Sequence, residues 1–215
     1  MRSGVAAAAA VGVMAIIALS QPVSPARAAN IMDEWGSVKT PQPPTLKPVV
    51  VDPKTTALLM LDFVTHDPYC GPGKPRCGAS LPAMKKLLTD ARAHGAAVIY
   101  SVAGKYGPSD IASDVAPASN EPTVKAKADK FLGTDLEKIL KDKGIQTVIV
   151  TGTAANGAVL YTGSGAALRG LRVVVPVDGM SGNAPFDELL TVWQLANGPG
   201  FGHQVTITRS DMIKF

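Results

Sequence analysis

Asp62 closes an uninterrupted apolar run, Thr56-Ala-Leu-Leu-Met-Leu-Asp-Phe63. A carboxylate that ends so apolar a stretch sits where the chain leaves a core, a position suited to moving protons. Asp178 ends a similar run, Arg172 to Val177, and reads as an organiser of loop backbone. His66 follows Asp62 by four residues and is a candidate to line the same pocket. A lone histidine is more often structural or exposed than a ligand, so no metal is expected. Cys70 and Cys77 lie in Tyr69-Cys-Gly-Pro-Gly-Lys-Pro-Arg-Cys-Gly78, a loop of turn formers. Two cysteines alone make no four-ligand zinc site, which favours a disulfide in an oxidising compartment.

The elements that must hold these residues alternate between strand and helix. Residues 29–55 form an extended lead-in, in which Pro41, Pro43, Pro44 and Pro48 forbid helix. Strands are expected over 56–63, 96–102, 145–151, 172–177 and 204–208, with a short edge strand near Val124. Helices are expected over 81–94, capped by Ser80, and over 134–143, 156–169 and 186–196. Such alternation implies right-handed crossovers and a doubly wound α/β fold: a Rossmann-like, three-layer sandwich around a mostly parallel sheet. The expected strand order is 3-2-1-4-5-6. Ligands in these sheets bind beyond the carboxyl ends of strands where the order reverses, which directs attention to Asp62, Asp178 and the loop after residue 151.

The N-terminus reads as an address. Arg2 precedes an apolar stretch from Val5 to Leu19, and Ala26-Arg27-Ala28 is a small-x-small cleavage site. We therefore expect a cleaved secretory signal over 1–28, an extended arm over 29–53 and one domain over 54–215, with a periplasmic or secreted product. An uncleaved anchor is the alternative, and the alanine-rich run is short for it. The chain of 215 residues has a formal charge of +4. Without Arg2 and Arg27, 19 basic and 17 acidic residues remain, a net of +2. No basic run interleaves with aromatics, so nucleic acid is not an expected partner. G-x-G-x-x-G, G-x-x-x-x-G-K-[ST] and G-x-S-x-G are all absent, which argues against dinucleotide, P-loop and α/β-hydrolase chemistry. No cofactor is expected.

Four segments together resemble the isochorismatase-like hydrolase superfamily. They are Ala57 to Asp62; Val124-Lys125 with Phe131-Leu-Gly-Thr-Asp-Leu136; Val148-Ile-Val-Thr-Gly-Thr-Ala-Ala-Asn-Gly-Ala-Val-Leu-Tyr-Thr162; and Ala166 to Asp178. The likeness spans about residues 54 to 210. It implies an acid at Asp62, a lysine partner at Lys125 with Lys127 and Lys130 as rivals, and a nucleophilic cysteine at the position held by Ala158. An alanine methyl cannot attack, so acyl-enzyme hydrolysis through that position is excluded. Isochorismatases cleave a vinyl ether without that cysteine, which leaves a route through Asp62 as general acid/base. On that route Thr153, Ala154, Asn156 and Gly157 would face a substrate carboxylate or oxyanion at a helix N-terminus. The expected function is hydrolysis of a small carboxylate-bearing molecule, with a non-catalytic binding module as the alternative. Trp193, Phe201 and the proline-rich arm leave a homo-oligomer open.

Overall fold

The computed structural model describes residues 30–215, so the expected signal segment, residues 1–28, lies outside the described residues. The chain divides into two units, one ending at Thr40 and one spanning Pro41–Phe215. In the first, a short helix α1 (Ile31–Glu34) is capped by Asn30, whose side chain accepts from the Met32 amide at 2.8 Å.

The second unit opens with a two-residue strand, β1 (Val49–Val50), followed by β2 (Thr56–Leu61), in which every residue is buried. The chain continues through helix α2 (Pro75–Ala93), β3 (Ala97–Val102), β4 (Thr123–Lys125), α3 (Leu136–Asp142) and β5 (Thr147–Thr153). A π turn over Ala155–Val159 leads into α4 (Leu160–Leu168). Then come β6 (Arg172–Pro176), β7 (Met180–Ser181), α5 (Pro185–Asn197), β8 (Val205–Thr208) and β9 (Ile213–Lys214).

The central sheet is parallel and runs β4-β3-β2-β5-β6-β8, with β7 pairing the end of β5. With its six main strands counted in chain order this is 3-2-1-4-5-6, as expected, and the order reverses between β2 and β5. Alternation along β2 sorts the core into two layers. Leu59 and Leu61 join residues of α3, α4 and α5, while Leu58 and Met60 join Met84, Leu87 and Leu88 of α2. Each fully buried leucine here stabilises the fold by about 1.5–3 kcal/mol relative to an exposed one. At the reversal, β2 and β5 approach so closely that a Cβ on Gly152 would meet the Leu61 carbonyl oxygen at 2.2 Å. Gly152 also has φ +137, so this position near the end of β5 admits glycine alone.

Two expectations about helices are corrected: the lead-in over 29–55 is not extended throughout, since α1 forms ahead of its first proline, and the first long helix begins earlier than expected. Helix α2 starts at Pro75 rather than after Ser80, because proline is pre-organised for the first helical turn. Ser80 lies inside the helix, its hydroxyl donating to the Cys77 carbonyl at 2.8 Å, and Pro82 is accommodated beyond it. The lead-in is also tied down from residue 46 onward. Leu46 packs on the core, the Lys47 amide donates to the Ile207 carbonyl, and β1 pairs in parallel with β9.

Candidate functional site

The site begins where β2 stops. Asp62 takes φ +56, a left-handed conformation that costs a non-glycine residue about 1–2 kcal/mol. Backbone bonds hold it there: its amide donates to the Ser101 carbonyl at 3.1 Å, and the Val64 amide donates to its carbonyl at 2.7 Å. Backbone strain that the surroundings enforce in this way concentrates at functional sites. The side chain is buried, and one oxygen accepts the Ser101 hydroxyl at 2.8 Å while the other accepts Lys130 Nζ at 2.6 Å.

Lys130, fully buried, is the cation of this pair, and the expected assignment to Lys125 is corrected accordingly. Lys125 is the last residue of β4, exposed on the edge strand, and it neither bonds to Asp62 nor lines the cavity on whose wall Asp62 lies. The loop after β4 instead turns inward and delivers Lys130 from a backbone pinned at two threonines. The Lys130 amide donates to Thr162 Oγ1 of α4 at 3.2 Å, and Thr134 Oγ1 donates to the Lys130 carbonyl at 2.5 Å. Its ammonium also donates to the Lys127 carbonyl at 2.5 Å. Burial pushes the Asp62 carboxyl above its ordinary value, opposed by the Lys130 charge and by the hydrogen bonds from Lys130 and Ser101. An acid held up in this way keeps its proton to higher pH than a free aspartate does, which suits it to donate one.

Asp62 lies on the wall of a cavity of about 420 Å³, with Tyr69, Ala103, Gly104, Lys127, Ala128, Thr153, Ala154 and Ala158. Of the expected binding residues, Thr153 and Ala154 reach this wall, and Ala158 stands on it where the resemblance places a cysteine. Asn156, Gly157 and His66 do not, which corrects their placement. Asn156 is drawn away by Asp187, to which its amide donates at 3.0 Å. The Gly157 and Val159 amides are occupied by the Ala154 carbonyl. His66 is exposed; it stacks on Tyr106 at 5.0 Å and faces Asp110 at 3.4 Å. Asp178 holds the loop before β9, accepting from the Ser210 amide and hydroxyl.

The site also includes residues that the sequence reading did not single out: Ser101 behind Asp62 and Tyr69 on the cavity wall. Ser101 lies beside Leu61 in register, so a polar residue one short of the end of a largely apolar strand was the available signal. Tyr69 belongs to the loop closed by the Cys70–Cys77 disulfide, and its ring meets Tyr106 edge-on at 5.8 Å. Burial and the nearby Asp62 charge push its phenol up. Among the described residues, no group of three or more His, Cys, Asp or Glu is arranged to hold a metal ion. No described helix is long and apolar enough to cross a membrane. A second cavity of similar size lies between α2 and α5, but its charged walls are already satisfied: Arg76 with Glu188, and Asp178 with Ser210.

Comparison with known proteins bears on the family and the fold. Residues 56–208 match the isochorismatase domain family. A stretch of 72 residues is 38% identical to N-carbamoylsarcosine amidase of Arthrobacter sp, covering 33% of this chain and 27% of that protein. Another of 89 residues is 28% identical to an uncharacterized isochorismatase family protein of Bacillus subtilis, covering 41% of this chain and 49% of that one. The chain thus spans less than half the length of these curated relatives. Among solved structures, N-carbamoylsarcosine amidase from Thermoplasma acidophilum superposes with a TM-score of 0.63 at 22% identity, over 73% of this chain and 97% of that one. At that identity the likeness shows the fold.

Proposed function

The chain belongs to the isochorismatase family, and from that premise we propose that it is a hydrolase that cleaves a small carboxylate-bearing substrate without a covalent intermediate. Asp62 donates and recovers the proton, and Lys130 holds the carboxyl in place and balances its charge. Water completes the hydrolysis. The observation that carries this reading is Asp62, paired with the buried Lys130, on the wall of a cavity whose Ala158 offers no nucleophile. Proton transfer by a positioned acid contributes about 10²–10⁴-fold to a rate, and a fixed cation near the reacting group adds to it. Ala158 also fits a second reading, in which the pocket binds a small molecule and releases it unchanged.

A substrate screen of the purified protein against vinyl ethers, amides and small carboxylates separates the two. The hydrolase reading expects turnover of a vinyl-ether carboxylate and none of amides, with amidase activity appearing in Ala158→Cys. Binding with no turnover in any assay would leave the second reading in possession.

Export is part of the proposal. The disulfide suits an oxidising compartment, and the N-terminal segment has the sequence pattern of a cleaved signal. N-terminal sequencing of the protein recovered outside the cytoplasm should begin near Ala29. Recovery of an intact N-terminus from the cytoplasm would contradict it.

A further inference from the structure

We infer that Lys127 is the residue that reads the charge of the substrate, anchoring its carboxylate at the cavity wall while Asp62, held by Lys130, acts on the reacting end. The inference rests on the reading of this cavity as a substrate site, and does not require turnover. Among the described residues Asp62 is the only acid on the wall, and Lys130 already neutralises it at 2.6 Å. Lys127 lines the same cavity and its side chain is exposed, so, with Asp62 already balanced by the buried Lys130 behind it, the site carries one positive charge more than it has negative. The remaining wall is built from alanines, a glycine, a threonine and a phenol, none of which is charged at neutral pH. A net cationic pocket with a largely apolar body selects a small organic anion over its neutral isostere.

The placement of Lys127 is built rather than incidental. Its carbonyl accepts the Lys130 ammonium at 2.5 Å, so its backbone is fixed by the same side chain that holds Asp62. The side chain is exposed, and its ammonium keeps its water until a ligand arrives, so pairing does not first require desolvating a buried charge. Attraction at such a site weakens with added salt. Lys125, two residues earlier and equally exposed, lies on β4 outside the cavity wall and supplies a matched control.

The test is equilibrium binding of paired probes, benzoate with benzamide and cyclohexanecarboxylate with its amide, followed by chemical-shift titration on the full mature chain. Wild type and Lys125→Met should bind each acid at least fivefold more tightly than its amide, and 0.5 M salt should shrink the difference. Lys127→Met should bring acid and amide to parity, and Lys127→Arg should keep the preference. No preference in the wild type, or one that survives in Lys127→Met, overturns the inference. The Lys127→Met titration decides this whether or not any substrate is turned over. Loss of preference there without turnover retains the role of Lys127 and discards the hydrolase. Turnover with an intact preference does the reverse.

Discussion

At the scale of single residues, the proposed chemistry depends on the two oxygens of Asp62, each held by a side chain from another part of the chain. Ser101 and Lys130 each satisfy one oxygen of Asp62, and both stabilise its charged form against burial. The direction of each effect is therefore fixed. Ser101→Ala removes a hydrogen bond that lowers the Asp62 pKa, so the pKa rises further. A proton donor is active below its pKa, and the falling limb of the pH–rate profile should move to higher pH in this variant. A limb that stays in place or moves to lower pH would show that the hydroxyl does not govern the acid. Lys130 is a different case. Removing one partner of a buried ion pair typically costs about 3–5 kcal/mol, so its loss mixes folding with chemistry.

At the scale of elements, the loop that carries Tyr69 is shaped by its crosslink. Cys70 closes on Cys77, which is buried in the first turns of α2, and the Cys70 amide donates to the Val64 carbonyl at 2.8 Å. Closing a loop this short stabilises by about 2.5 kcal/mol in the chain-entropy account. The paired Cys70→Ser, Cys77→Ser variant should lose about that much in urea unfolding. It should also weaken binding at the Asp62 cavity, because Tyr69 loses its fixed approach. Unchanged stability would mean that the loop is held by its turns alone. The π turn before α4 has a comparable role on the opposite wall, where it brings Ala158 to the cavity.

At the scale of the whole molecule, the sheet order, the reversal point and the acid beside it were readable because they rest on local patterns. Asp62 ends a run of six buried residues, and Gly152 lets β5 lie against Leu61 where any side chain would clash. The lysine was not readable in the same way. Lys125, Lys127 and Lys130 share one polar loop without periodicity, and Lys130 is selected by Thr162, which lies 32 residues further along the chain. Asn156 and His66 misled for the same reason, since Asp187, Tyr106 and Asp110 draw them off through contacts that spacing does not encode. Pro75 carried a helix start, yet among so many turn formers it read as loop.

The central claim is that this fold retains proton-transfer chemistry at a wall without sulfur. The most direct measurement is the pH dependence of turnover for wild type and Asp62→Asn on the substrate that the screen identifies. The account predicts a wild-type rate that falls as pH rises through a pKa above 3.8, and an Asp62→Asn rate lower by about 10²-fold or more with no such limb. An Asp62→Asn protein that is folded and turns over at the wild-type rate would contradict it.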